Sequence, residues 1–151
     1  MRRSLVSILA VCAMVLSTAG AMTHKATAPL PLVTVYKSAT CTCCGKWIDH
    51  LKAAGFPVEV HDVADISEAA DNAGVPAALR SCHTAVVKGY AIEGHVPADL
   101  IKQLLTEKPK VAGLAVPGMV MGSPGMEGNR QDKYDVVAWS ADGKTSVYAH
   151  R

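Results

Sequence analysis

No run of basic residues interleaved with aromatics occurs in this chain, which is only 5 % aromatic and carries a formal charge of +2. Nothing in it reads as a nucleic-acid surface, and no nucleic-acid partner is expected. No apolar stretch reaches the roughly 20 residues that a membrane-spanning helix needs; the run from Leu5 to Leu16 is short and follows Arg2 and Arg3. No carboxylate pair and no Ser/His/Asp constellation stands out as a source of acid–base or acyl-transfer chemistry. A second cysteine knuckle is missing as well. Zinc in a Cys₄ site normally uses two separated C-x₂₋₄-C pairs, and here three cysteines crowd into the single cluster Cys41-Thr42-Cys43-Cys44.

What the N-terminus does contain is an export signal. Arg2 and Arg3 precede the apolar run, and Ala19-Gly20-Ala21 supplies an A-x-A cleavage site, the parts of a secretory signal peptide over residues 1–21. The expectation is a periplasmic protein free of the membrane after cleavage. Cys12 and both arginines leave with the signal, so acidic and basic residues balance in the mature chain. Four cysteines remain: Cys41, Cys43, Cys44 and Cys82. Residues 22–31, rich in Thr, Ala and Pro, read as a flexible leader, and residues 32–151 as one domain with enough chain for a genuine core.

Leu32 to Tyr36 alternates as a strand, and Trp47, Ile48, Leu51 and Ala54 recur at helical spacing, with Gly55 and Pro57 as stop signals. Val58 to Val63 reads as a second strand and Ile66 to Ala73 as a short helix closed by Gly74 and Pro76. Ala85 to Val87 and Tyr90 to Ile92 flank Lys88-Gly89 as a hairpin, and Pro97 opens a helix striped by Leu100, Ile101, Leu104 and Leu105. Val116 to Gly128 is a Gly/Pro/Met loop. Tyr134 to Trp139 and Thr145 to Tyr148 form a C-terminal β-hairpin about Asp142-Gly143. The order β-α-β-α-β-β-α predicts an α/β sandwich of thioredoxin type. In that architecture the loop Ser81-Cys82-His83-Thr84 faces the thiols at the mouth of the first helix.

Thiols at a helix N-terminus ionise readily, because unpaired backbone N–H groups and the helix dipole favour negative charge. Three neighbouring thiolates repel one another unless a cation or oxidation intervenes. Cu(I) is soft, prefers thiolate and thioether ligands, and suits crowded sulfurs that bridge metal ions; iron–sulfur clusters use more widely spread cysteines. Copper therefore leads among metals. Thiol–disulfide exchange by Cys41 and Cys44, which stand at C-x-x-C spacing, is the alternative. His83, beside Cys82, and His95, ahead of the third helix, are further ligand candidates. So are Met119 and Met126 of the loop, where Met121 adds another thioether. His24, His50, His61 and His150 are read as solvated.

Taken together, Cys41-Thr42-Cys43-Cys44 with Gly45-Lys46-Trp47, Ser81-Cys82-His83-Thr84-Ala85, Glu93-Gly94-His95-Val96-Pro97 and the two Pro-Gly-Met segments resemble the CopG-type copper-resistance proteins, exported and thioredoxin-like. The resemblance implies a copper–thiolate cluster held by Cys41, Cys43, Cys44 and Cys82. It also implies a role in cycling Cu(I) and Cu(II), with copper ions and other periplasmic copper-handling proteins as partners. Thr42 departs from the glycine the family often has there, which removes no ligand.

Overall fold

The computed structural model describes residues 28–151; the expected signal peptide lies outside the described residues. The chain forms β1 (Val33–Lys37), α1 (Thr42–Ala53), β2 (Val58–Asp62), α2 (Ile66–Asn72), a 3₁₀ turn (Ala77–Leu79), β3 (His83–Val87), β4 (Tyr90–Gly94), α3 (Ala98–Glu107), β5 (Gly113–Val116), β6 (Asp135–Trp139) and β7 (Thr145–His150). All seven strands belong to one sheet, in the order β2-β1-β3-β4-β5-β6-β7. This is the expected α/β architecture, and the strands and α-helices from β1 to α3 follow the predicted order, compatible with a thioredoxin-type arrangement. The structure adds two elements: the 3₁₀ turn and β5.

Direction follows from connection length. The parallel pair β1/β2 needs a crossover, which α1 supplies, and the parallel pair β4/β5 is bridged in the same way by α3. β3 runs antiparallel to both of its neighbours. Its link to β4 is the two-residue turn Lys88-Gly89, where φ is positive at both positions (49° and 86°), the geometry that matches strand twist.

Helices cover both faces. On one, Trp47, Ile48 and Leu51 of α1 and Leu100, Ile101 and Leu104 of α3 pack against Val33, Val35, Ala85, Val87, Ile92 and Leu114. On the other, Ala70 of α2 with Val75 and Leu79 packs against Ala91, Ala115 and Trp139. Alternate strand residues feed the two cores, as the two-residue strand repeat requires.

Candidate metal and thiol site

Four strand ends meet at one edge of this sheet. β1 finishes at Lys37, in register with His83 at the start of β3. β4 finishes at Gly94 beside Val116, the end of β5. The segments leaving these ends carry Cys41, Cys82, His95 and the Met loop. Ser81 and Cys82 stand outside regular structure, as expected, but His83 and Thr84 are the first residues of β3 and not part of the loop. Strand pairing therefore fixes His83 inside the core.

Cys41 is the N-cap of α1, and its Sγ accepts the Cys44 N–H at 3.3 Å. Cys41 and Cys44 are joined as a disulfide with their Cα atoms 5.4 Å apart. The repulsion expected among the helix-mouth thiols is thus relieved by oxidation in this structure. Cys43 and Cys82 are free and half-buried. Cys43 Sγ lies 3.5 Å from Cys41 Sγ and 3.9 Å from Cys82 Sγ, although Cys82 is 39 positions away in the chain. Cys44 Sγ is 3.5 Å from the Cys82 carbonyl oxygen. All four sulfurs fall within 4.8 Å of one another.

Away from the helix mouth, Cys82 behaves differently from a helix-start thiol. Burial, and then the adjacent Cys43, pushes it up to about 12. It stays protonated at neutral pH unless a metal displaces the proton, which a coordinating cation does outright.

Two imidazoles press on the same sulfur. His95 Nε2 is 3.1 Å from Cys82 Sγ, and its Nδ1 donates to the Pro124 carbonyl at 2.8 Å. His83 Nδ1 is 3.4 Å from that sulfur. The His83 ring packs on Trp47 with centroids 4.3 Å apart, and its Nε2 is buried without a hydrogen-bond partner among the described residues. Burial first, then His95, holds His83 down to about 3. In the unfolded chain it titrates near the ordinary 6.5, so the unfolded state takes up the proton first as pH falls. The stability this neutral ring contributes is complete above 6.5 and is withdrawn towards pH 3. The Tm of the metal-free protein should fall across that window, and His83→Phe, which keeps a ring over Trp47, should flatten the fall.

Sequence reasoning missed Glu93. It is buried, and it accepts the Ser81 N–H at 2.6 Å and the Thr84 hydroxyl at 2.7 Å, so one carboxyl group grips the chain on both sides of Cys82 and His83. Burial raises its pKa against the lowering effect of those hydrogen bonds and of Arg80. The only hint in the sequence is a charged residue within an otherwise apolar strand. His50 also differs from expectation. It is half-buried, and its Nε2 accepts the Ala98 N–H at 3.0 Å, capping α3 from the side of α1.

The Met loop docks onto the first turn of α1 at Gly125. A Cβ there would stand 2.7 Å from Trp47 N and 2.8 Å from Cys43 O, and φ is +87°, so only glycine permits the approach. Beside it a cavity of about 210 Å³ opens onto Cys43, lined by Thr42, Lys46, Met121, Met126 and Glu127. Met119 does not line it and is 60 % exposed.

An α/β protein that gathers four cysteine sulfurs and two buried histidines at its strand ends belongs among thiol-based metal or redox proteins. The comparisons narrow this class. Two solved structures described as "Copper resistance protein copG", Form 2 and Form 1, match with 48 % and 47 % identity. They cover 82 % and 81 % of this chain and 98 % of each of theirs, with TM-scores of 0.77 and 0.76. A family model described as "Protein of unknown function, DUF411" matches residues 79–126. No curated protein matches. The chain belongs to the CopG copper-resistance protein family.

Proposed function

We propose that this protein is exported to the periplasm and serves copper tolerance, holding Cu(I) on Cys41, Cys43, Cys44 and Cys82 in a bridged thiolate site. The observation that carries the reading is the convergence of four sulfurs within 4.8 Å from two separate parts of the chain. Copper is the cargo of this site, not a resident cofactor. The soft sulfur set suits Cu(I) over harder or more widely spaced metal chemistry, and the copper-resistance relatives support the same metal. Four-sulfur ligation requires that the Cys41–Cys44 disulfide first be reduced by two electrons and two protons. Binding is therefore tied to the thiol state, which supports a role in Cu(I)/Cu(II) cycling. Copper ions and other periplasmic copper-handling proteins are the proposed partners.

Anaerobic titration of the fully reduced protein with Cu(I) tests this. At least one tightly held equivalent with thiolate-to-copper absorption is expected; neither appearing would overturn the proposal. A second reading, thiol–disulfide exchange without metal, is favoured by the Cys41–Cys44 bridge itself. It calls for reduction or reshuffling of a substrate disulfide by Cys41, with Cys44 as the resolving thiol.

A further inference from the structure

Of the four sulfurs, only that of Cys82 lies off helix α1 and its N-cap. The other three take their places from the helix. Ser81 and Cys82 lie outside regular structure, just ahead of β3. A segment of that kind has no ladder partner to fix it, so other groups must satisfy its backbone and hold the sulfur in reach.

Glu93 does this from the neighbouring strand. It is the cross-strand partner of Thr84 in the β3/β4 pair. One carboxyl oxygen accepts the Ser81 N–H at 2.6 Å and the other accepts the Thr84 hydroxyl at 2.7 Å. A single planar group thus spans the chain on both sides of Cys82. Arg80, the nearby cation, is turned to Asp71 and the Val75 carbonyl, which leaves both carboxyl oxygens to these two donors. Gly94 permits the close approach: a Cβ there would stand 2.8 Å from the Ser81 side chain and 2.6 Å from the Val116 carbonyl oxygen. The Ser81 hydroxyl in turn donates to the Gly118 carbonyl of the Met loop. Packing does not account for a charge at this position. An apolar side chain of the same size would fill β4 without desolvating a carboxyl group. What the carboxyl group supplies is two acceptors at a fixed separation.

We propose that Glu93 is the positioning residue for Cys82: by holding the Ser81 N–H and the Thr84 hydroxyl together, its carboxyl group sets the distance between the Cys82 sulfur and Cys43. The sulfur then stands 3.9 Å from Cys43 Sγ before any metal arrives. Glu93 acts through the backbone and is not itself a ligand. The consequence for copper rests on the Cu(I) reading above: releasing the grip should weaken Cu(I) binding by about 10–100-fold, as loss of an outer-shell partner does.

The test needs no metal. In the full-length mature protein carrying Cys41→Ser and Cys44→Ser, Cys43 and Cys82 are the only thiols, and serine at 41 still caps α1. In a glutathione buffer the two thiols form a bridge as one glutathione disulfide is reduced to two thiols, and the equilibrium gives their effective concentration. Glu93→Met should lower it at least about 10-fold through misplacement of the sulfur. Glu93→Gln should restore it, because its amide oxygen accepts the Ser81 N–H and its amide nitrogen donates to the Thr84 oxygen. Met and Gln are close in size, so a residue that only fills the core would leave the two variants alike. Equal effective concentrations in the two variants, or no bridge with Glu93 in place, overturn the proposal. If Glu93→Met does not fold, hydrogen exchange on the unaltered protein decides: the Ser81 amide should be protected, and exchange at the rate of an open loop overturns the grip. None of these readouts involves copper, so their failure leaves the Cu(I) proposal standing, and failed Cu(I) binding by the reduced wild-type protein leaves this placement standing.

Discussion

Cys43→Ser is expected to lower the Cu(I) affinity of the reduced protein by more than about 100-fold, a larger loss than removing an outer-shell partner, while the Cys41–Cys44 bridge still forms on oxidation. The reason is position. Cys43 Sγ lies between the helix-mouth sulfur of Cys41 at 3.5 Å and the strand-end sulfur of Cys82 at 3.9 Å, and so connects the two halves of the site. A serine oxygen is hard and small and offers Cu(I) little. Competition against a Cu(I) chelator, with thiol counting before and after oxidation, measures both parts. Disulfide exchange has no use for a third sulfur. Unchanged Cu(I) affinity together with full disulfide-exchange activity in this variant would therefore favour the metal-free reading.

Trp47→Ala is expected to be the most damaging single change to the fold, costing about 3–5 kcal/mol out of a total stability of about 5–15 kcal/mol. Trp47 is fully buried on α1, its Nε1 donates to the Val96 carbonyl at 2.9 Å, and its ring lies under His83. Alanine would leave a cavity directly beneath the site and deprive Val96 of its donor. Trp47→Phe keeps much of the volume and loses the hydrogen bond, at a cost of about 1–3 kcal/mol. Denaturant unfolding of the metal-free protein orders the three forms. If alanine costs no more than phenylalanine, packing at Trp47 does not set the stability of this edge.

Much of this could be read from residue order. Helix α1 announced itself through Trp47, Ile48 and Leu51, and the antiparallel placement of β3 followed from the hairpin at Lys88-Gly89. Strand β5 did not announce itself. Gly113 to Val116 is short and buried throughout, so it lacks the alternation that marks a half-exposed strand. The convergence of Cys82 on the helix mouth was legible from topology. The roles of Glu93 and His50 were not, because each holds a backbone N–H group, at Ser81 and at Ala98, that no side-chain pattern reveals, and the Thr84 hydroxyl reaches Glu93 only across the β3/β4 pair. The methionines were indistinguishable in sequence. Only the docking of the loop through Gly125 separates Met121 and Met126, beside Cys43, from exposed Met119.

Three of the four sulfurs are neighbours in the chain, whereas Cys82 reaches them only when β1 and β3 pair. An unfolded chain therefore keeps a three-thiol copper ligand and loses only the fourth. Bound Cu(I) would stabilise the native state by the difference between these two affinities, and not by the whole binding free energy. Cargo and folding would thus be loosely coupled: the protein could fold empty, and a chain not yet folded could already capture copper before its sheet has closed.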